Sequence, residues 1–220
     1  MKWETVEKAQ VGRSRFELVR RGDEWMVTVD RRALMVNRTF QSEISLAEEA
    51  VSRLADPRHV LIGGLGFGYT LRAALDVLPA TAKVSVAELV PELVDWNRRH
   101  LAHLNASACD DARCEILLGD AFEPIVRNKA AFDAILLDVD NGPEAISQPK
   151  NRRLYDESGT RACWDALTPG GILAVWSADT NEPYAKRLSR HGFATEVLRV
   201  PVRKGARATH VLFLARKRTA

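Results

Sequence analysis

Apolar and polar positions along the chain follow two different periods. The first stretch is short and β-like. Phe16-Glu17-Leu18-Val19 and Trp25-Met26-Val27-Thr28-Val29 flank a turn at Arg21-Gly22-Asp23, and Ala33-Leu34-Met35-Val36 follows Asp30-Arg31-Arg32. This predicts an N-terminal β meander. Ser42 then reads as an N-cap, and Ile44, Ala47, Val51 and Leu54 share one face of a helix over residues 42–54, closed by Asp56-Pro57. From there apolar runs alternate with helical spacing. Val60-Leu61-Ile62, Val84-Ser85-Val86-Ala87, Cys114-Glu115-Ile116-Leu117-Leu118, Phe132-Asp133-Ala134-Ile135-Leu136-Leu137 and Ile172-Leu173-Ala174-Val175-Trp176 predict strands. Helices are predicted over residues 71–78, 91–104, 121–127 and 156–167, and from Pro183 to a stop at Gly192, with Pro169-Gly170-Gly171 as a turn into the fifth strand. Two last runs, residues 195–202 and 210–215, flank Arg203-Lys204-Gly205-Ala206-Arg207 and predict an antiparallel hairpin.

Strands alternating with helices and closed by a hairpin imply an α/β fold: a mostly parallel, Rossmann-like sheet of the class I methyltransferase type, ending in an antiparallel hairpin and preceded by the small β meander. The expected division is residues 1–41 for the meander and 42–220 for the Rossmann-like domain.

Composition narrows the function classes. A chain of 220 residues has room for one α/β domain with a small addition, and 46% apolar with 28% charged residues is the balance of a soluble globule. No apolar run approaches the ~20 residues that span a bilayer, and Met1-Lys2-Trp3-Glu4 carries no signal-peptide pattern, so no membrane partner is expected. Cys109, Cys114 and Cys163 match no zinc or disulfide spacing and read as reduced cytoplasmic thiols. The histidines (His59, His100, His103, His191 and His210) are dispersed, and no metal is expected. A net charge of +3 is too small to imply a nucleic-acid partner. The basic residues near the C-terminus (Arg199, Arg203, Lys204, Arg207, Arg216, Lys217 and Arg218) read as a solvated, charged hairpin. A homodimer is left open.

The candidate chemistry sits where the strands end. Ligands of such sheets bind at the carboxyl ends of the strands. The first strand there runs into Gly63-Gly64-Leu65-Gly66-Phe67-Gly68, whose glycines Gly64, Gly66 and Gly68 suit a sharp turn and a close approach of backbone to ligand. The second ends at Glu88, an acid placed to accept hydrogen bonds from ribose hydroxyls. The third ends at Gly119-Asp120 and the fourth at Asp138-Val139-Asp140-Asn141. Gly64, Gly66, Gly68, Glu88 and Asp120 are therefore the expected nucleoside-binding residues. Asp138 and Asp140 are the expected catalytic pair, since a carboxylate there can position an attacking amine and take its proton. Tyr69, Tyr155 and Trp176 are candidates for the pocket wall, each with core packing as the alternative.

At these residues the chain resembles the spermidine synthase family of aminopropyltransferases, a branch of the S-adenosylmethionine-dependent transferase superfamily. The likeness runs over about residues 25–215 and includes Gln41-Ser42-Glu43, the glycine loop, Glu88, Gly119-Asp120, the Asp138 loop, Leu154-Tyr155-Asp156-Glu157 and Pro169-Gly170-Gly171. The resemblance implies that Glu88 holds the ribose, that Asp120 contacts the adenine amino group and that the acids after the fourth strand bound the reaction centre. It implies as co-substrate S-adenosylmethionine or its decarboxylated form, with a small molecule, an amine, as acceptor. Gln41, Tyr155 and Trp176 are the expected substrate-side residues, Trp176 from its place at the end of the fifth strand.

The chain also departs from the family. The loop carries no acid where members usually read Gly-Gly-Gly-Asp-Gly-Gly. The stretch after the fourth strand is shorter than the usual Asp-Ser-Ser-Asp-Pro, and Ala47-Glu48-Glu49-Ala50 stands in the region of the usual Tyr-His-Glu. With fewer carboxylates to hold a polycation, weak or absent putrescine turnover beside retained nucleoside binding is expected; Asp138 and Asp140 can hold one end of the amine, and Gln41, Glu43 or Trp176 the other only if the meander folds over the sheet. The expected function is transfer of an aminopropyl or methyl group to a small acceptor. A small-molecule methyltransferase and a non-catalytic nucleoside-binding or scaffold protein are the alternatives.

Overall fold

The computed structural model describes residues 2–139, 142–144 and 151–219. Two sheets carry the chain. The first is a four-stranded antiparallel meander, β1 (Glu4–Val11), β2 (Ser14–Arg21), β3 (Glu24–Val29) and β4 (Arg32–Val36), paired in chain order. The second holds β5 (His59–Gly63), β6 (Lys83–Glu88), β7 (Cys114–Leu118), β8 (Phe132–Leu137), β9 (Leu167–Ser177), β10 (Ala194–Pro201) and β11 (Thr209–Arg216), in the spatial order β10-β11-β9-β8-β5-β6-β7. β5 pairs in parallel with both β6 and β8, and β10–β11 is the antiparallel hairpin at one edge. The fold is thus mixed α/β with a mostly parallel central sheet of class I methyltransferase type. Its chain order reverses beside β5, the switch point at which such sheets bind ligands.

The apolar runs are continuous because both faces of the central strands are covered. Val60, Ile62, Ala134, Leu136, Ile172 and Ala174 point into one core, with Leu46, Ala47 and Ala50 of α1 (Gln41–Val51) and Leu71, Ala74 and Leu75 of α2 (Tyr69–Val77). The residues between them, Leu61, Ile135, Leu137, Leu173 and Val175, point into a second core. That core also holds Ile125 of α5 (Phe122–Arg127), Cys163 of α7 (Glu157–Ala166), and Tyr184 and Leu188 of α8 (Glu182–Arg190). A third core binds the meander to the site: Phe16, Leu18, Trp25 and Val27 pack with Phe67 of the glycine loop, Tyr69 at the start of α2, and Leu93 and Trp96 of α3 (Pro91–Arg99).

Several expected boundaries move. The meander gains β1, whose side chains are mostly solvent-facing and whose register against β2 holds it, so it leaves no apolar stripe in the sequence. Ser42 does not cap α1. The helix begins at Gln41 with Phe40 as N-cap, and Ser42 is buried within the first turn. The helix expected over residues 91–104 breaks after Arg99 and resumes as α4 (Ala102–Asn105), ending where Ala106 and Ser107 take left-handed backbone with φ of 49° and 55°. The helix expected over 156–167 is preceded by α6 (Arg152–Tyr155), and Asp156 caps α7 by accepting from the Gly159 amide at 2.9 Å. Pro169-Gly170-Gly171 lies inside β9, not ahead of it. Phe132 pairs with Leu167 and Ala134 with Ile172, so the intervening β9 residues bulge out while the strand continues.

Candidate functional site

The glycine loop leaves β5 at the centre of the sheet and delivers the chain to the N-terminus of α2. Gly64, Gly66 and Gly68 all have positive φ, 88°, 54° and 80°, where a side chain would be strained. The carboxylate of Glu88, at the end of β6, stitches the loop together. Its Oε2 accepts from the Leu65 amide and its Oε1 from the Val90 amide, each at 2.8 Å. Each oxygen keeps a second lone pair for a ligand hydroxyl. Burial raises the Glu88 carboxyl above its ordinary value, and the amides of Val90, Leu65 and Leu89 oppose that rise.

Two asparagines hold the outer side of this loop, and sequence reasoning missed both. Asn97 on α3 donates to the carbonyl of Gly66 at 2.9 Å, and Asn105 on α4 donates to that of Phe67 at 2.9 Å and to Asn97 Oδ1 at 2.8 Å. Asn105 also accepts from the Ala108 amide at 3.1 Å. The signal for Asn97 was present: it follows Leu93 by one helical turn, on the apolar face of α3, where an amide needs a partner.

Asp120, past the end of β7, lines the same cavity as Gly64, Gly66 and Glu88, together with Leu34 and Met35 of β4 and Asn151 and Leu154 beside and on α6. Its Oδ1 accepts from the Phe122 amide at 2.9 Å and its Oδ2 from Arg153 at 2.9 Å. The Arg153 guanidinium lies 4.5 Å over the Phe122 ring, and its Nε is buried without a partner among the described residues. The α6 arginine was not anticipated, because no periodicity links it to the end of β7.

Asp138 follows β8 and is held on both sides. Its amide donates to the Gly63 carbonyl at 2.9 Å, and its Oδ2 accepts from Thr70 Oγ1 at 2.6 Å. Burial pushes its carboxyl up to about 6, with the Thr70 hydroxyl working the other way. A second cavity opens beside the first. It is lined by β4 (Leu34, Met35), Glu43, Trp176 and His210, and it shares Gly66 and Asp138, as well as Leu34 and Met35, with the first cavity. The meander does therefore fold over the strand ends, with β4 lining both cavities, while α1 supplies Glu43 and β9 supplies Trp176 to the second.

The other expected residues separate. Trp176 donates through Nε1 to Ser42 Oγ at 3.0 Å and packs edge-on against His210. Ser42 Oγ and His210 Nδ1 form a hydrogen bond of 2.8 Å, and burial lowers the pKa of His210. Gln41 opens α1, its amide donating to the Val202 carbonyl at 3.3 Å, and it lines neither cavity. Tyr155 is buried; its hydroxyl donates to the Val139 carbonyl at 3.1 Å, so it braces the chain beyond β8 from behind. Tyr69 also packs, stacked on Phe40 with its hydroxyl on the Asn37 carbonyl. Gly68 serves as the N-cap of α2 and stands outside both cavities. Asp140 lies outside the described residues. Among the described residues no group of three or more His, Cys, Asp or Glu could hold a metal ion, and no helix is long and apolar enough to cross a membrane.

Comparison with known proteins gives the family and the fold. The profile of the spermine/spermidine synthase domain matches residues 25–190, well over half of the chain. The chain belongs to this family. Within the family it is 32% identical over 190 residues to polyamine aminopropyltransferase 2 of Pseudomonas aeruginosa, covering 79% of this chain and 51% of that protein. It is 38% identical over 122 residues to the polyamine aminopropyltransferase of Nitrosomonas europaea, covering 54% and 35%. The chain thus spans about half the length of the first of these relatives, or less. Among solved structures, a spermidine synthase in complex with the transition-state analogue AdoDATO superposes with a TM-score of 0.82 at 22% identity, over 98% of this chain and 74% of that one. The spermidine synthase of Thermotoga maritima gives 0.80 at 21% identity, with the same coverage. These likenesses establish the shared fold.

Proposed function

We propose that this chain is an aminopropyltransferase. In this reading it binds decarboxylated S-adenosylmethionine along the ends of β5, β6 and β7 and directs the aminopropyl carbon to a small amine held at Asp138. The observation that carries the proposal is the junction of the two cavities at Gly66 and Asp138. One cavity has the acid and the glycine turns that suit a nucleoside, the other has an acid and an aromatic wall that suit an amine, and the reacting atoms would meet between them. The names and functions of the relatives support the same reading, whereas methyl transfer and a scaffold role gain no support from them.

The residues have separate tasks. Glu88 would take the ribose hydroxyls, while Gly64 and Gly66 let the backbone come close to the co-substrate. Asp120, already oriented by Arg153 and the Phe122 amide, would offer a lone pair to the adenine amino group. Asp138, oriented by Thr70, would position the amine in line with the reacting carbon. A sulfonium releases a neutral thioether readily, so the proposed transfer calls for no metal.

Calorimetry with methylthioadenosine, and mass spectrometry of a mixture of the protein, decarboxylated S-adenosylmethionine and putrescine or another small primary amine, test the proposal. The expected results are nucleoside binding, a preference for the decarboxylated co-substrate and amine-dependent release of methylthioadenosine. No binding of any of these nucleosides, or methylation of the acceptor from S-adenosylmethionine, would overturn it.

A further inference from the structure

The acceptor-side cavity contains a group whose chemistry is unused. Glu43, in the first turn of α1, lines that cavity with Asp138, yet its Oε2 is shut off from solvent and has no hydrogen-bond partner among the described residues. A carboxylate oxygen left in this way costs free energy unless a ligand supplies the donor or a proton neutralises it. The glycine loop, which carries no acid, forms another part of the same wall at Gly66.

We propose that Glu43 is the second carboxylate of the acceptor site, forming with Asp138 a pair that holds the ammonium of a primary aliphatic amine and takes up its proton. This rests on the transferase reading above and extends it to the proton's destination. One carboxylate takes the ammonium proton and frees the nitrogen lone pair. The lone pair forms the new C–N bond as the C–S bond breaks, and the C–S electron pair stays on sulfur, giving the neutral thioether. The second carboxylate keeps its charge opposite the new ammonium. The rest of the cavity suits the alkyl part of such an amine: Leu34, Met35, Val36 and Trp176 line it.

The surroundings leave the pair in control of the local charge. Asp138 faces Glu43 from the end of β8, and burial, followed by the charge of Asp138, raises the Glu43 carboxyl well above its ordinary value. From α2, Tyr69 is pushed up to about 12, chiefly by burial, and is neutral at physiological pH, while Thr70 is engaged with Asp138. From β11, His210 is hydrogen-bonded through Nδ1 to Ser42 Oγ, which also accepts from Trp176 of β9, and burial lowers the His210 pKa, favouring the neutral imidazole. On β10, Glu196 is paired with Arg53, beyond the last turn of α1. Two interacting carboxyls titrate in two steps that belong to the pair.

The test uses the whole chain loaded with methylthioadenosine, to which putrescine and 1-aminopropane are added in a calorimeter across pH 5–9. In the unsubstituted protein amine affinity should rise with pH in two steps. Glu43→Gln should bind methylthioadenosine within twofold of the unsubstituted protein, bind either amine at least tenfold more weakly, and lose the upper step. Glu43→Ala is the second variant should the amide refold the pocket. Amine affinity within twofold in both variants, with both steps intact, would overturn the proposal, as would a methylthioadenosine complex of the unsubstituted protein that binds neither amine. Glu43-dependent amine binding without any aminopropyl transfer would instead sink the transferase reading and leave the amine site standing.

Discussion

A methyl group added to Gly64 would run into the backbone carbonyl of Asp138. The glycine loop and the segment after β8 are thus packed backbone against side-chain position at the point where the two cavities join. Gly64 also has φ of 88°, a conformation that side chains rarely adopt. Gly64→Ala should therefore cost stability through both strain and collision, on the order of 2–4 kcal/mol, and should abolish methylthioadenosine binding. Gly205→Ala is the control: it has φ of 75° but open space around it, so only the conformational part, about 1 kcal/mol, should appear. Denaturant titrations of both variants measure the difference, and equal losses would count against the packing argument.

Glu88→Ala should weaken methylthioadenosine binding by about 1–3 kcal/mol, because the acceptor proposed for the ribose would be lost and the Leu65 and Val90 amides left unpaired. Glu88→Gln keeps an acceptor oxygen and should lose less. Isothermal calorimetry on the two variants provides the check.

The asparagine brace should matter for stability before it matters for chemistry. Asn105→Ala removes the partners of the Phe67 carbonyl, Asn97 Oδ1 and the Ala108 amide, a loss of about 2–4 kcal/mol. A lowered urea midpoint with a looser glycine loop, seen as faster amide exchange at residues 66–68, is the expected pair of observations.

Asp138 yields a prediction with a definite sign. Its folded pKa, about 6, lies above that of an unfolded aspartate. The stability associated with this shift is fully present below the unfolded value and is lost as pH rises through about 6. Asp138→Asn removes the buried charge, so it should raise the melting temperature at pH 8 relative to the unsubstituted protein and change it little at pH 4. Amine transfer should fall at the same time, since a site kept for function carries a cost in stability. Thermal scans at the two pH values decide the point.

Asp140→Asn should remove most of any amine transfer while leaving methylthioadenosine affinity nearly intact. Equal loss of both would assign Asp140 to the fold or to the nucleoside.

Local pattern was enough to determine the architecture and half of the site. Runs such as Phe132–Leu137 and Lys83–Glu88 are buried on both faces, so their apolar continuity marks parallel strands. Gly64 after β5, Asp120 after β7 and Asp138 after β8 therefore stand at the carboxyl end of the sheet, where ligands of such folds bind. Chain order alone put them together. Only the tertiary structure decided what stands opposite. Glu43 comes from a helix whose apolar spacing says nothing about where its polar residues point, and it meets Asp138 because α1 packs across α2 and the ends of β8 and β9. Ser42 looked like a cap for the same reason: its place beside Trp176 and His210 depends on contacts from strands far along the chain. Asn105 and Arg153 lie in short helical pieces with no period to read, and β1 is held by its register on β2 and by contacts such as Arg99 to Glu7 that no local pattern shows. Periodicity encodes which face of an element is buried, whereas the partner of a polar side chain is set by how the elements pack.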